Sequence, residues 1–139
     1  MSVENVEIIR RYFEAPSPIA VADYWDAEGD YYPVRKFPES RPCHGREEIE
    51  RFLVEYNAAW EYGHVIKDVK PVGDDRVVVH AHIEAKGRAS GMVLGGDIYY
   101  CYWLRHGLVI RQEDHLTAKG ALHALGLNGE TFEAAGLSD

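Results

Sequence analysis

The order of periodicities in this 139-residue chain predicts an α+β domain built on an antiparallel sheet. Helical spacing dominates up to residue 60, with apolar residues three and four apart. From His64 the apolar residues alternate instead, and the glycine-containing segments 73–75, 87–96 and 106–107 divide that region into four strand patterns.

Each element follows from local chemistry. Residues 3–14 place Val6, Ile9 and Phe13 on one helical face, with Val3 a turn earlier. Ala15-Pro16-Ser17-Pro18 interrupts that helix. Ser17 is a good N-cap and Pro18 a good first helical residue. A short second helix is therefore expected, carrying Ile19, Ala22 and Trp25 inward and ending at Gly29-Asp30. Tyr31 to Phe37 is β-prone but broken by Pro33 and stopped before Pro38, which suits an edge strand or an irregular extension. The next helix has a stripe of Ile49, Phe52, Leu53, Tyr56 and Trp60, with Arg46, Glu47, Glu50, Arg51 and Glu55 off it.

Strands are predicted over 64–72, 76–85, 98–105 and 108–116. The second of these has one apolar face, Val77, Val79, Ala81, Ile83 and Ala85, and a mixed face of Val78, His80, His82 and Glu84. Thr117 caps a last short helix bearing Leu122 and Leu125, and Gly126 suits its C-terminal stop. The acidic tail from Asn128 is expected to be loosely held. Residues 1–139 read as one domain. One sheet face must be covered by the helices; the other needs a second cover or a partner.

Charge narrows the function. Fifteen basic residues stand against 23 acidic ones, for a net charge of −8, and the basic residues are scattered singly. Binding to nucleic acid or an anionic membrane needs clustered Lys and Arg, so neither is an expected partner. Cys43 and Cys101 are too few for a disulfide framework and fit a reducing compartment. No basic segment followed by an apolar stretch opens the chain, and no apolar run reaches membrane-spanning length. A cytoplasmic location is expected.

Three segments resemble a known family. Pro42-Cys43-His44-Gly45-Arg46-Glu47-Glu48-Ile49-Glu50-Arg51-Phe52-Leu53 resembles the opening of the long helix in SnoaL-like proteins of the nuclear transport factor 2-like (ketosteroid isomerase-like) superfamily. Trp103 to Arg111 is similar to that family's "Trp-Thr-Leu-Arg-Asp-Gly-Lys-Val-Val-Arg" hairpin, and Leu116 to Leu127 to its closing helix. The resemblance implies a cone: a curved antiparallel sheet wrapped around the N-terminal helices, with an internal pocket. It also implies a homodimer through the outer sheet face. Isomerases, cyclases, dehydratases, epoxide hydrolases and non-catalytic binding domains share this superfamily, so the site has to name the function.

Alternation says which side chains see the pocket, because neighbours along a strand point to opposite faces. If the apolar face of 76–85 meets the helices, the matching sets are Ile98, Tyr100, Tyr102 and Leu104, then Ile110, Gln112, Asp114 and Leu116. Tyr99, Cys101 and Trp103 then face outward. Asp114 is the candidate catalytic acid/base, since desolvation raises a carboxyl pKa toward neutrality. Tyr100 and Tyr102 are candidate catalytic donors to a developing oxyanion. Gln112, Trp25, Tyr56, Trp60, Ile98 and Leu116 are candidate ligand contacts.

The segment Gln112 to Thr117 resembles the acidic segment of limonene epoxide hydrolase, but Ala81 and Ile83 stand where that enzyme needs Arg and Asp. The ketosteroid isomerase base position falls at Pro33 and its second acid near Tyr100. Both of those mechanisms are therefore disfavoured. His80, His82 and Glu84 can begin a metal site, yet no third His follows at a fixed spacing, and a solvated or subunit-contact surface is the expected role. Cys43 precedes a helix whose N-terminus can lower a thiol pKa. The expected function is a small-molecule-binding domain acting as a cofactor-independent isomerase, cyclase, dehydratase or hydrolase on a small hydrophobic organic molecule. The alternative is a non-catalytic ligand-binding or structural homodimer of the same fold.

Overall fold

A computed structural model describes residues 2–35 and 40–127. The tail from Asn128 and the end of the 31–37 extension lie outside the described residues. The chain forms α1 (Ser2–Glu14), α2 (Pro18–Ala22), β1 (Trp25–Tyr32), β2 (Cys43–His44), α3 (Arg46–Ala59), β3 (Trp60–Val72), β4 (Arg76–Gly87), β5 (Val93–Arg105), β6 (Leu108–His115) and α4 (Ala118–Ala124). One six-stranded sheet has the order β2-β1-β6-β5-β4-β3. It is strongly curled into a cone-like half-barrel, an α+β fold.

The sheet is mixed. β3 to β6 form the expected antiparallel meander, but β1 pairs with β6 in parallel, and the two-residue β2 lies beyond it. The second helix is shorter than its sequence pattern suggests. Ser17 caps it as expected, its Oγ accepting from the Ala20 N–H at 3.2 Å. The helix then stops at Ala22, and Trp25 begins a strand. Ile19, expected inward, is exposed because five residues make barely more than one turn and only Ala22 reaches the core.

Parity along the meander is largely as expected. Val77, Val79, Ala81 and Ile83 share a buried cluster with Ile98, Tyr100, Tyr102 and Leu104, covered by Ile9 and Tyr12 of α1 and Ile49 and Phe52 of α3. On β6 a bulge breaks the alternation. Trp103 pairs with Arg111 while Leu104 pairs with Val109, which leaves Ile110 as the extra residue. Val109 therefore enters the core in place of Ile110, and parity is restored by Gln112.

The outer sheet face carries its own cover. Ala121, Leu122 and Leu125 from α4 and its C-terminal end bury Val78, Tyr99 and Cys101. Thr117 caps α4 through its Oγ1, which accepts from the Gly120 N–H at 3.0 Å, and Gly126 takes the left-handed conformation (φ +77°) that ends it. The Arg76 guanidinium donates to the Leu125 carbonyl. Tyr99 and Cys101 lie on the outer face as expected, and α4 is the second cover that face needed. His80 is buried and stacked on Tyr99 at 4.5 Å. One part left open is the strip around Val65, His82 and Asp97, where the Asp97 carboxylate gathers Lys67 at 3.2 Å and His82 at 3.3 Å.

Candidate functional site

Where α1, the 15–18 segment and α3 cross the concave face, they leave a cavity of about 440 Å³. Apolar walls come from Phe13, Phe52, Leu53, Ile83, Ala85 and Ile98. The exposed Pro16, Ser17 and Asn57 lie along its open side. Two hydrogen-bonded clusters stand among its polar groups.

The first centres on Asp114 of β6. The Tyr31 hydroxyl donates to Asp114 Oδ2 at 2.8 Å, and Gln112 Nε2 donates to Oδ1 at 2.7 Å. The Tyr12 hydroxyl in turn donates to Gln112 Oε1 at 2.9 Å. Parallel pairing explains how Tyr31 arrives there. It lies in register with Gln112, so its side chain enters the same face and its hydroxyl reaches one pleat further. Burial pushes the Asp114 carboxyl up to about 7, against the opposing hydrogen bonds from Gln112 and Tyr31, with the Glu113 charge adding to the rise. Burial, then the Asp114 charge, holds Tyr31 well above the usual tyrosine range, so it remains a donor.

The second cluster is Tyr100 with His64. Tyr100 stands directly across the β5–β6 pair from Asp114, but its hydroxyl meets His64 Nε2 at 2.8 Å. His64 as a residue is exposed at the sheet edge, whereas its ring packs edge-on to Phe13 at 5.5 Å and to Tyr100 at 5.7 Å. That partial burial of the ring lowers its pKa, which favours neutral imidazole.

Six of the nine residues singled out by sequence line this cavity: Asp114, Gln112, Tyr100, Tyr102, Tyr56 and Ile98. Three do not. Trp25 is fully buried beneath it, tilted against Tyr31 at 6.1 Å, because it lies on β1 rather than on a helix. Gly29 makes room for its ring: a Cβ there would stand 2.6 Å from Trp25 Cε3. Trp60 is buried at the end of α3 and stacks on Tyr56 at 6.1 Å, supporting the wall from behind. Leu116 lies past the end of β6, where the strand's alternation no longer holds it inward, and is 40% exposed.

Roles differ from expectation as well. Gln112 is committed to Tyr12 and Asp114, so it positions the carboxyl. The Tyr102 hydroxyl is buried with no hydrogen-bond partner among the described residues. The Cys43 thiol is pushed up to about 11 by burial, opposite to the lowering that a helix N-terminus suggested. Tyr12, Tyr31 and His64 were missed by sequence reasoning. The spacing Ile9-Tyr12-Phe13 contained the signal for Tyr12; the other two depend on long-range pairing.

A stability test follows from the Asp114 shift. The unfolded residue loses its proton near the ordinary value of 3.8, while the folded one holds it to about pH 7. Below pH 3.8 both states are protonated and the contribution is fully present. Between these values the unfolded state binds fewer protons, so stability falls as pH rises, by at most about 1.4 kcal/mol per unit. Above about pH 7 the loss is complete. Urea unfolding of the wild type and Asp114→Asn should diverge across this window, the variant gaining relative stability as pH increases. A constant difference between them contradicts the desolvated, proton-holding carboxyl.

No family model and no curated protein matches the chain by sequence. Solved structures share the fold. A ketosteroid isomerase-like protein from Catenulispora acidiphila, crystallised in complex with trimethylamine, is similar with a TM-score of 0.69 and 18% identity, over 96% of this chain and 98% of that one. A nuclear transport factor 2-like protein from Burkholderia xenovorans gives 0.75 and 14%, over 90% and 98%. A protein from Jannaschia sp. CCS1 assigned to the SnoaL-like polyketide cyclases gives 0.70 and 17%, over 93% and 95%. At these identities the likeness is one of fold, and it agrees with the cone seen here.

Proposed function

We propose that this protein is a cofactor-independent enzyme that moves a proton on a small, hydrophobic, carbonyl-bearing molecule, with Asp114 as the acid/base. The observation that carries this reading is a single carboxyl, desolvated inside an aromatic-walled cavity and held from both sides by Tyr31 and Gln112. A carboxyl titrating near neutrality is present both as base and as acid at physiological pH. As carboxylate, Asp114 takes a proton from the carbon next to the carbonyl. The C–H bond breaks, its electron pair enters the enolate, and an O–H bond forms on Asp114. Returning the proton to a different carbon gives isomerisation; adding the enolate carbon to a second carbonyl, whose oxygen takes the proton from Asp114, gives cyclisation; expelling a neighbouring hydroxyl as water, with the proton from Asp114, gives dehydration.

The test uses 2-tetralone, a two-ring ketone small enough for the cavity, in deuterated buffer. NMR should show the protein accelerating loss of the protons next to the carbonyl. No acceleration over buffer, with the ketone bound, removes the enzyme reading. A second reading, a binding domain without turnover, draws on the fact that both Asp114 oxygens already accept protein hydrogen bonds. It expects saturable binding with no exchange.

We further propose that two copies join through the open outer strip around Val65, His82 and Asp97. Val65 is 65% exposed there, an apolar side chain that a second copy would cover. Sedimentation at micromolar concentration should give a dimer that Val65→Asp weakens; a monomer removes this proposal.

A further inference from the structure

We propose that the Tyr100–His64 pair is a second binding station, which selects ligands carrying a hydroxyl or enol group in addition to the carbonyl at Asp114. This deepens the proton-transfer reading and rests on it for the carbonyl end alone.

The hydrogen bonds give the cavity two polar groups with different partners. Tyr100 and Asp114 are cross-strand neighbours on the same concave face, but their hydrogen bonds run apart. Asp114 is tied towards β1 through Tyr31 and towards α1 through Gln112 and Tyr12. Tyr100 is tied towards β3 through His64. A flat molecule lying across the apolar surface between them meets a carboxyl at one end and a phenol at the other.

The pair also suits a particular chemistry. Neutral imidazole can donate from Nε2 to the Tyr100 oxygen or accept from its hydroxyl, depending on tautomer. The Tyr100 hydroxyl, which lines the cavity, meets a ligand oxygen as donor in the first case and as acceptor in the second. A hydroxyl or enol, itself both donor and acceptor, matches either arrangement. A carboxylate does not fit, since among the described residues lining the cavity there is no Lys or Arg, and Asp114 already stands there. His64 is a positioning residue in this scheme: it holds the Tyr100 hydroxyl, and it need not touch the ligand.

Calorimetric titration with 2-tetralone and 6-hydroxy-2-tetralone tests this, with the plain ketone as internal control for any general damage to the fold. In the wild type the added hydroxyl should tighten binding about three- to tenfold, the worth of one neutral hydrogen bond. Tyr100→Phe should bring the ratio to about one, and so should His64→Leu. His64→Gln, whose amide nitrogen can stand where Nε2 stands, should restore much of it. Asp114→Asn should leave the ratio unchanged. A ratio that survives Tyr100→Phe, a hydroxyl that adds nothing in the wild type, or failure of both ketones to bind overturns the second station. If exchange depends on Asp114 while the ratio ignores Tyr100, only this station falls. If the ratio depends on Tyr100 and no exchange occurs, only the proton-transfer reading falls.

Discussion

Asp114→Asn is expected to slow proton exchange on 2-tetralone by about 10²- to 10⁴-fold, the usual worth of a positioned general base. The amide is close in shape to the carboxyl, so the cavity keeps its form and the ketone should still bind within a few-fold of the wild-type affinity. The effect should lie in the rate, because a proton acceptor is removed and little else. The wild-type rate should also depend on pH in one direction. Only the carboxylate is a base, so exchange rises as Asp114 deprotonates around pH 7 and levels off above it. Loss of binding in step with loss of exchange would assign Asp114 to ligand attachment instead.

Trp25→Ala is expected to cost about 3–5 kcal/mol of folding stability, the range for truncating a large, fully buried aromatic. Trp25 has no exposed surface, packs on Tyr31, and fills the space that Gly29 leaves. Its backbone carbonyl also accepts two hydrogen bonds from the Arg46 guanidinium, at 2.9 and 2.6 Å, but those survive the truncation. Denaturant unfolding should show the loss, and Trp25→Phe should recover part of it. A variant that unfolds like the wild type yet no longer binds 2-tetralone would return Trp25 to the cavity wall.

Legibility in the sequence followed the range of the interactions. The meander was readable because alternation is local: Val77 to Ile83 and Ile98 to Leu104 declare one face each, and short turns join the strands. Asp114 was found on that basis. Ile110 was misplaced because a bulge costs one residue of register and leaves no mark in the pattern. Trp25 was misassigned to a helix, and Tyr31, read correctly as extended, was overlooked as a site residue, for a related reason. β1 is held by parallel pairing to β6, some eighty residues away in the chain (Tyr31 to Gln112), and nothing local signals that contact. The consequence was chemical. The tyrosine that donates to Asp114 is Tyr31, whereas Tyr100, its neighbour across the antiparallel pair, turns to His64. The covering of the outer face by α4 was visible only as Leu122 and Leu125 at helical spacing, with no indication of which surface they would meet.

The proposal depends above all on Asp114 being a dry carboxyl that a ligand can reach. Carbon-13 NMR of the aspartate side-chain carboxyls, with the resonance identified by its absence in Asp114→Asn, measures this without reference to any substrate. The expected result is a titration midpoint near 7 that moves when 2-tetralone is added. A midpoint in the ordinary carboxylate range, indifferent to the ketone, would contradict it.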